Sequence, residues 1–177
     1  ESAGHQRSYR VHVPPDYHAD TPLPMVVVVH GAFDTAKGIE AISGFSRLGD
    51  RENFIVLYPE GIGIFGLLQH WNAGHCCGKA AADRVDDVGY LSAAIEAVSQ
   101  RLAVDRQRIY MVGFSNGGML THRFAAERTD LLAAAAPMAA SIGGRATLAG
   151  PDWSIPSPKR PLPILMIHGL DDDDVPF

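Results

Sequence analysis

Four short apolar runs, at residues 25–29, 54–58, 109–113 and 163–167, dominate the pattern of this 177-residue chain. Each is rich in β-branched side chains and is closed by glycine or proline. None alternates apolar with polar, so each reads as a strand buried on both faces, the state of a strand inside a parallel sheet. A parallel pair needs a crossover of helical length between its strands, and such segments separate the runs. The pattern predicts an α/β chain with a mostly parallel, doubly wound sheet.

The clearest helix covers residues 85–102, where Val88, Leu91, Ile95, Val98 and Leu102 recur at spacings of three and four. Asp83 and Asp86 stand at its start, where carboxylates accept orphan amides and suit the positive end of the helix dipole. Further helices are expected over 39–50 and from 116 to about 128. Residues 132–139, small and apolar, read as another buried strand. Residues 8–13 do alternate and end at Pro14-Pro15, which predicts an antiparallel edge strand. Two stretches, 60–82 and 141–161, are rich in glycine or proline and read as long surface loops. No repeat or linker divides the chain, so residues 1–177 read as one domain.

The formal net charge is -5, and Lys and Arg form no cluster. A nucleic-acid partner is not expected, and an anionic membrane surface is not favoured. No apolar run approaches the roughly 20 residues of a membrane helix. The chain opens at Glu1 without an initiator Met or a signal-peptide pattern, which reads as a processed or trimmed terminus. Cys76 and Cys77 are adjacent and have no further cysteine to form a zinc site; composition alone suggests free thiols.

The sharpest motif is Gly113-Phe114-Ser115-Asn116-Gly117-Gly118, between an apolar run and a helical segment. Gly-x-Ser-x-Gly at a strand–turn–helix junction is the nucleophile elbow: the turn is so tight that the flanking positions need glycine, and the serine hydroxyl is held above a helix N-terminus. Ser115 is the candidate nucleophile, and the amide of Asn116 the candidate donor to an oxyanion. A second donor is expected after the valine run, in His30-Gly31-Ala32-Phe33, from Ala32 or, second, from Phe33. His30 itself reads as a structural strand-end residue. After the last run, His168-Gly169-Leu170-Asp171-Asp172-Asp173-Asp174 supplies aspartates where the acid that orients a catalytic histidine belongs. A solvated acidic turn and a weak calcium loop are the alternatives.

Several strings together resemble the polyhydroxybutyrate depolymerase-like esterases, α/β hydrolases that are also similar to feruloyl and acetylxylan esterases. They are His30-Gly31-Ala32, Trp71-Asn72-Ala73-Gly74-His75-Cys76-Cys77-Gly78, Val85-Asp86-Asp87-Val88-Gly89-Tyr90-Leu91, the elbow, and His168-Gly169-x-x-Asp172-x-x-Val175-Pro176. The resemblance implies an α/β-hydrolase fold, hydrolysis of small or polymeric carboxylic esters, no cofactor and no metal, and a secreted or periplasmic protein. It places the triad acid at Asp172, allows Phe33 and Trp71 to line the substrate pocket, and allows Cys76 and Cys77 to form a vicinal disulfide.

Relatives of this kind carry their catalytic histidine after the Val-Pro segment, and all eight histidines here precede Asp172. The expectation is therefore a hydrolase domain lacking its C-terminal portion, with the histidine beyond Phe177 and the strand at 163–167 left as an open edge. His75 is the one histidine in the chain weighed as a substitute. A hydrolase-fold binding domain without turnover and a peptidase of the same fold are the competing functions.

Overall fold

The computed structural model describes residues 6–64, 67–145 and 151–176. In chain order the elements are β1 (Tyr9–His12), β2 (Leu23–Val29), α1 (Ala36–Ser43), α2 (Phe45–Glu52), β3 (Ile55–Pro59), β4 (Ile62–Ile64), β5 (Leu67–His70), α3 (Gly78–Ala82), α4 (Asp87–Arg101), β6 (Val104–Phe114), α5 (Asn116–Glu127), β7 (Ala134–Met138), β8 (Gly143–Gly144) and β9 (Trp153–Ser154). The main sheet has the order β1-β3-β2-β6-β7. β1 is antiparallel to β3 at the edge, and the other pairs are parallel.

Alternate side chains of β2 serve two cores. Met25, Val27 and Val29 join Leu91, Ile95, Met111, Leu120 and Phe124 on the α4–α5 side. Val26 and Val28 join Ala36, Ile39, Val56 and Tyr58 on the α1 side. Helices therefore cover both faces of the central strands, which is why the β2 run is apolar at every position rather than at every second one.

Caps explain the helix limits. The Asp86 carboxylate accepts the Gly89 amide at 2.8 Å and starts α4. Asp83 instead closes α3 and pairs with Lys79. The helix expected over 39–50 is two helices, because Gly44 adopts φ 72° and ends α1 in a left-handed turn.

Two expectations are corrected. Residues 163–167 lie beside β7 in parallel, but only Ala135–Ile164 and Met138–Ile167 bridge, and Leu165 is 63% exposed. The Ala135 and Ala139 amides donate to Pro163 and Ile167, whereas Pro137 between them has no N–H for the Leu165 carbonyl. The ladder is interrupted there, and the run makes two isolated bridges at the sheet edge rather than a continuous strand. The 60–82 segment is not a surface loop throughout: it folds into the β4–β5 hairpin and α3, with Gln69, Trp71, Asn72, Ala73 and His75 buried.

Candidate active site

Ser115 sits between β6 and α5 with φ 52° and ψ -122°. Such a backbone costs about 1–3 kcal/mol and survives only where the surroundings dictate it. The flanking glycines show how they do so. A Cβ on Gly113 would lie 2.2 Å from the Gly117 carbonyl oxygen, and one on Gly117 would lie 2.2 Å from that of His30. The turn closes on itself and on the end of β2 with no space for a methyl group. The Ser115 amide donates to Met138 at 2.9 Å, tying the turn to β7. Its side chain is partly buried, and the next residue, Asn116, opens α5, where an amide has no helical acceptor.

The 30–33 turn adjoins this elbow. Phe33, at φ 66°, donates its amide to the Gln69 carbonyl at 2.8 Å. That bond takes the second-choice oxyanion donor and leaves Ala32 as the candidate. The Phe33 ring is 67% exposed and meets His70 edge-on at 4.7 Å. His30 is buried, its Nδ1 2.7 Å from the Gly31 carbonyl and its Nε2 accepting from the Gly61 amide at 3.1 Å. These bonds select the neutral Nδ1–H tautomer, and burial holds its pKa below the ordinary value. His30 is a structural residue.

Trp71 is 0% exposed, so it does not line a pocket. Its indole N–H donates to the His30 carbonyl at 2.9 Å, and its ring stacks near Tyr90. The Asn116 carboxamide grips the Trp71 backbone from both sides: Oδ1 accepts the Trp71 amide at 2.8 Å, and Nδ2 donates to its carbonyl at 3.0 Å. Cys76 and Cys77 bring their two sulfurs into contact with each other, the arrangement a vicinal disulfide requires. They border a cavity of about 650 Å³ with His75, Met119, Ser141 and Arg145. Met119 stands one helical turn from Ser115, and its amide donates to the Ser115 carbonyl at 2.9 Å.

Of the four consecutive aspartates only Asp172 is drawn inward. Its Oδ1 accepts the amides of Asp174 and Val175 at 3.1 and 2.9 Å, and Oδ2 is 3.6 Å from His168 Nε2. His168 Nε2 lies 2.6 Å from the Val175 carbonyl. His75 Nε2 is 2.9 Å from Ser141 Oγ, and its ring stacks on Trp153. Its Nε2 is thus engaged with Ser141. Among the described residues no group of three or more His, Cys, Asp or Glu side chains could hold a metal ion.

Residues 7–151 match the family described as esterase PHB depolymerase. The chain belongs to this esterase family. A protein of Nocardia uniformis subsp. tsuyamanensis, provisionally named esterase NocK, is 31% identical over 176 residues, 99% of this chain and 48% of its own length. Feruloyl esterase B of Piromyces equi is 30% identical over 172 residues, 97% of this chain and 30% of its own. This chain therefore spans about half, or less, of the relatives it matches. The crystal structure of native sOPH superposes with a TM-score of 0.75 at 19% identity, over 98% of this chain and 66% of that one. The fold is of the α/β-hydrolase type.

Two features of this family member escaped the sequence reading. One is the Asn116 carboxamide, whose partner at Trp71 lies 45 residues away and leaves no mark in the local sequence. Asp87, read only as part of a resemblance string, is fully buried against Arg7. A doubled aspartate at a helix start was the available signal, since a helix needs only one capping carboxylate.

Proposed function

We propose that the full-length protein hydrolyses carboxylic esters through an acyl-enzyme on Ser115. The strained Ser115 backbone, closed in by Gly113 and Gly117 in a chain of this esterase family, carries the reading. Ser115 Oγ attacks the ester carbonyl carbon, and the amides of Asn116 and Ala32 receive the charge on its oxygen. The alcohol leaves with a proton, and water then releases the acid and restores the serine. Asp172 is assigned as the acid that orients the base. The base is a histidine outside the described residues, since His75 faces Ser141 and His30 is locked in its own bonds.

The substrate class is an ester of an aromatic acid or a hydroxyacid polyester, which the family description and the feruloyl esterase relative support. The 650 Å³ cavity beside Met119 receives one side of it, with Phe33 at the rim of the oxyanion turn and the Cys76–Cys77 disulfide stiffening the wall. A disulfide is at home in an oxidising compartment, which supports export from the cytoplasm. Among the described residues no helix is long and apolar enough to cross a membrane.

The test is to treat the full-length protein with a fluorophosphonate and to assay p-nitrophenyl butyrate and methyl ferulate. Labelling at Ser115, with activity lost in Ser115→Ala, supports the reading; turnover that survives Ser115→Ala refutes it. One observation, the engagement of His75 Nε2 with Ser141 Oγ, is equally what a binding domain without turnover would show. That reading predicts ester binding with neither labelling nor hydrolysis.

A further inference from the structure

The residue after the candidate nucleophile has two jobs. Its amide faces the proposed oxyanion, while its side chain, 1% exposed, commits both polar ends to Trp71. Trp71 in turn reaches the His30 carbonyl through its indole N–H. The same His30 oxygen is the atom that Gly117 approaches too closely to bear a Cβ. The elbow, Trp71 and the turn at 30–32 thus form a closed circuit of contacts. Both candidate amide donors, Asn116 and Ala32, lie on it.

We propose that the Asn116 carboxamide, acting through Trp71, is a positioning residue that sets the direction of its own amide relative to the amide of Ala32. This rests on the esterase reading of Ser115. Donors to a developing oxyanion accelerate a reaction only when their direction is fixed beforehand, and a misplacement of about 1 Å is enough to lose about 100-fold. Ser115 is strained, so the first turn of α5 has a downhill direction in which to relax. Two hydrogen bonds to one remote residue oppose that relaxation. The substrate's ground state gains little from them, because the donors tighten on the oxygen only as it becomes an anion.

The experiment compares full-length wild type, Asn116→Ala, Trp71→Phe and Tyr17→Phe with p-nitrophenyl butyrate. It also measures the rate of Ser115 labelling by a fluorophosphonate, whose oxygen occupies the same donors. Tyr17→Phe removes a hydrogen bond to the Ala103 amide away from the elbow and reports on general loosening.

The expected result for Asn116→Ala is a kcat lower by about 10–100-fold, a KM within about 2-fold of wild type, and a parallel fall in labelling rate. Tyr17→Phe keeps the wild-type kcat. Trp71→Phe retains the ring and loses only the indole N–H, so it carries the test should Asn116→Ala not fold; its expected kcat is about 3–10-fold lower. The proposal is overturned by a wild-type kcat in Asn116→Ala, by a rise in KM at constant kcat, or, where only Trp71→Phe folds, by its unchanged kcat. A wild-type protein that turns over ester without Ser115 labelling overturns the esterase reading itself and this inference with it.

Discussion

Arg7 Nη2 stands 2.8 Å from Asp87 Oδ1, with the two side chains 3% and 0% exposed. The other carboxylate oxygen accepts the Asn72 amide at 2.7 Å, and the guanidinium lies 3.8 Å over the Tyr90 ring. Tyr90 donates its hydroxyl proton to the Ser8 carbonyl at 2.5 Å. Burial pushes the Asp87 carboxyl up, against the downward pull of Arg7. This knot joins the start of α4, the chain before β1 and the segment that Asn116 holds.

Breaking the knot at one partner leaves an uncompensated buried charge. Asp87→Asn is expected to destabilise the protein by about 3–5 kcal/mol in urea unfolding. The double variant Arg7→Met/Asp87→Leu, which removes both charges, is expected to recover much of that loss. A double variant as unstable as the single one contradicts this account.

Gly117 and Gly169 make opposite predictions for the same substitution. A Cβ on Gly117 meets fixed backbone oxygens at 2.2 and 2.5 Å, whereas on Gly169 its nearest neighbour is at 3.7 Å. Gly117→Ala is expected to lower stability by about 1–3 kcal/mol and to abolish most ester turnover. Gly169→Ala stays within about 0.5 kcal/mol of wild type. Thermal unfolding and an ester assay on both variants check the contrast.

Burial holds His30, His75 and His122 below the usual histidine value. Below about pH 6.5 the unfolded chain therefore binds protons that the folded chain refuses. Stability falls as pH falls through that value, by up to about 1.4 kcal/mol per pH unit for each such group, and levels off once the folded values are passed. Among the described residues His122 Nε2 finds no hydrogen-bond partner, and the side chain lies against an apolar cavity of about 90 Å³. His122→Leu is expected to flatten the slope of stability between pH 5 and 6.5, as read by urea midpoints across that range.

The 163–167 edge is apolar and open in this 177-residue chain: Leu165, Met166 and Ile167 are 63%, 50% and 46% exposed. Expressed by itself, the chain is expected to self-associate through that edge. Leu165→Lys, on the exposed side, is expected to shift a size-exclusion profile toward monomer. A wild-type profile that is already monomeric removes the basis for this prediction.

The sequence pattern reached most of the sheet. Unbroken apolar runs at β2 and β3 and the alternation at β1 report the faces on which those strands are covered, and each survives in the structure. The elbow was legible for the same reason, since the steric demand for Gly113 and Gly117 acts within a few residues. The segment at 163–167 forms no continuous strand because Pro137, on the facing strand, has no N–H to offer it, and its own residues carry no sign of that. At Gly44 the helical spacing on both sides masks the break.

Local order was therefore written in the chain: strand, helix, turn and the serine at position 115. Periodicity and turn chemistry act over a few residues. Tertiary structure alone decided that Trp71 belongs to the core rather than to a pocket, that Asp87 pairs with Arg7 80 residues away, and that His75 turns to Ser141. These outcomes depend on which polar group finds a buried partner, and that partner comes from a remote part of the chain. Burial makes an unpartnered polar atom costly, so the packed fold, not the local sequence, assigns each of these side chains its place.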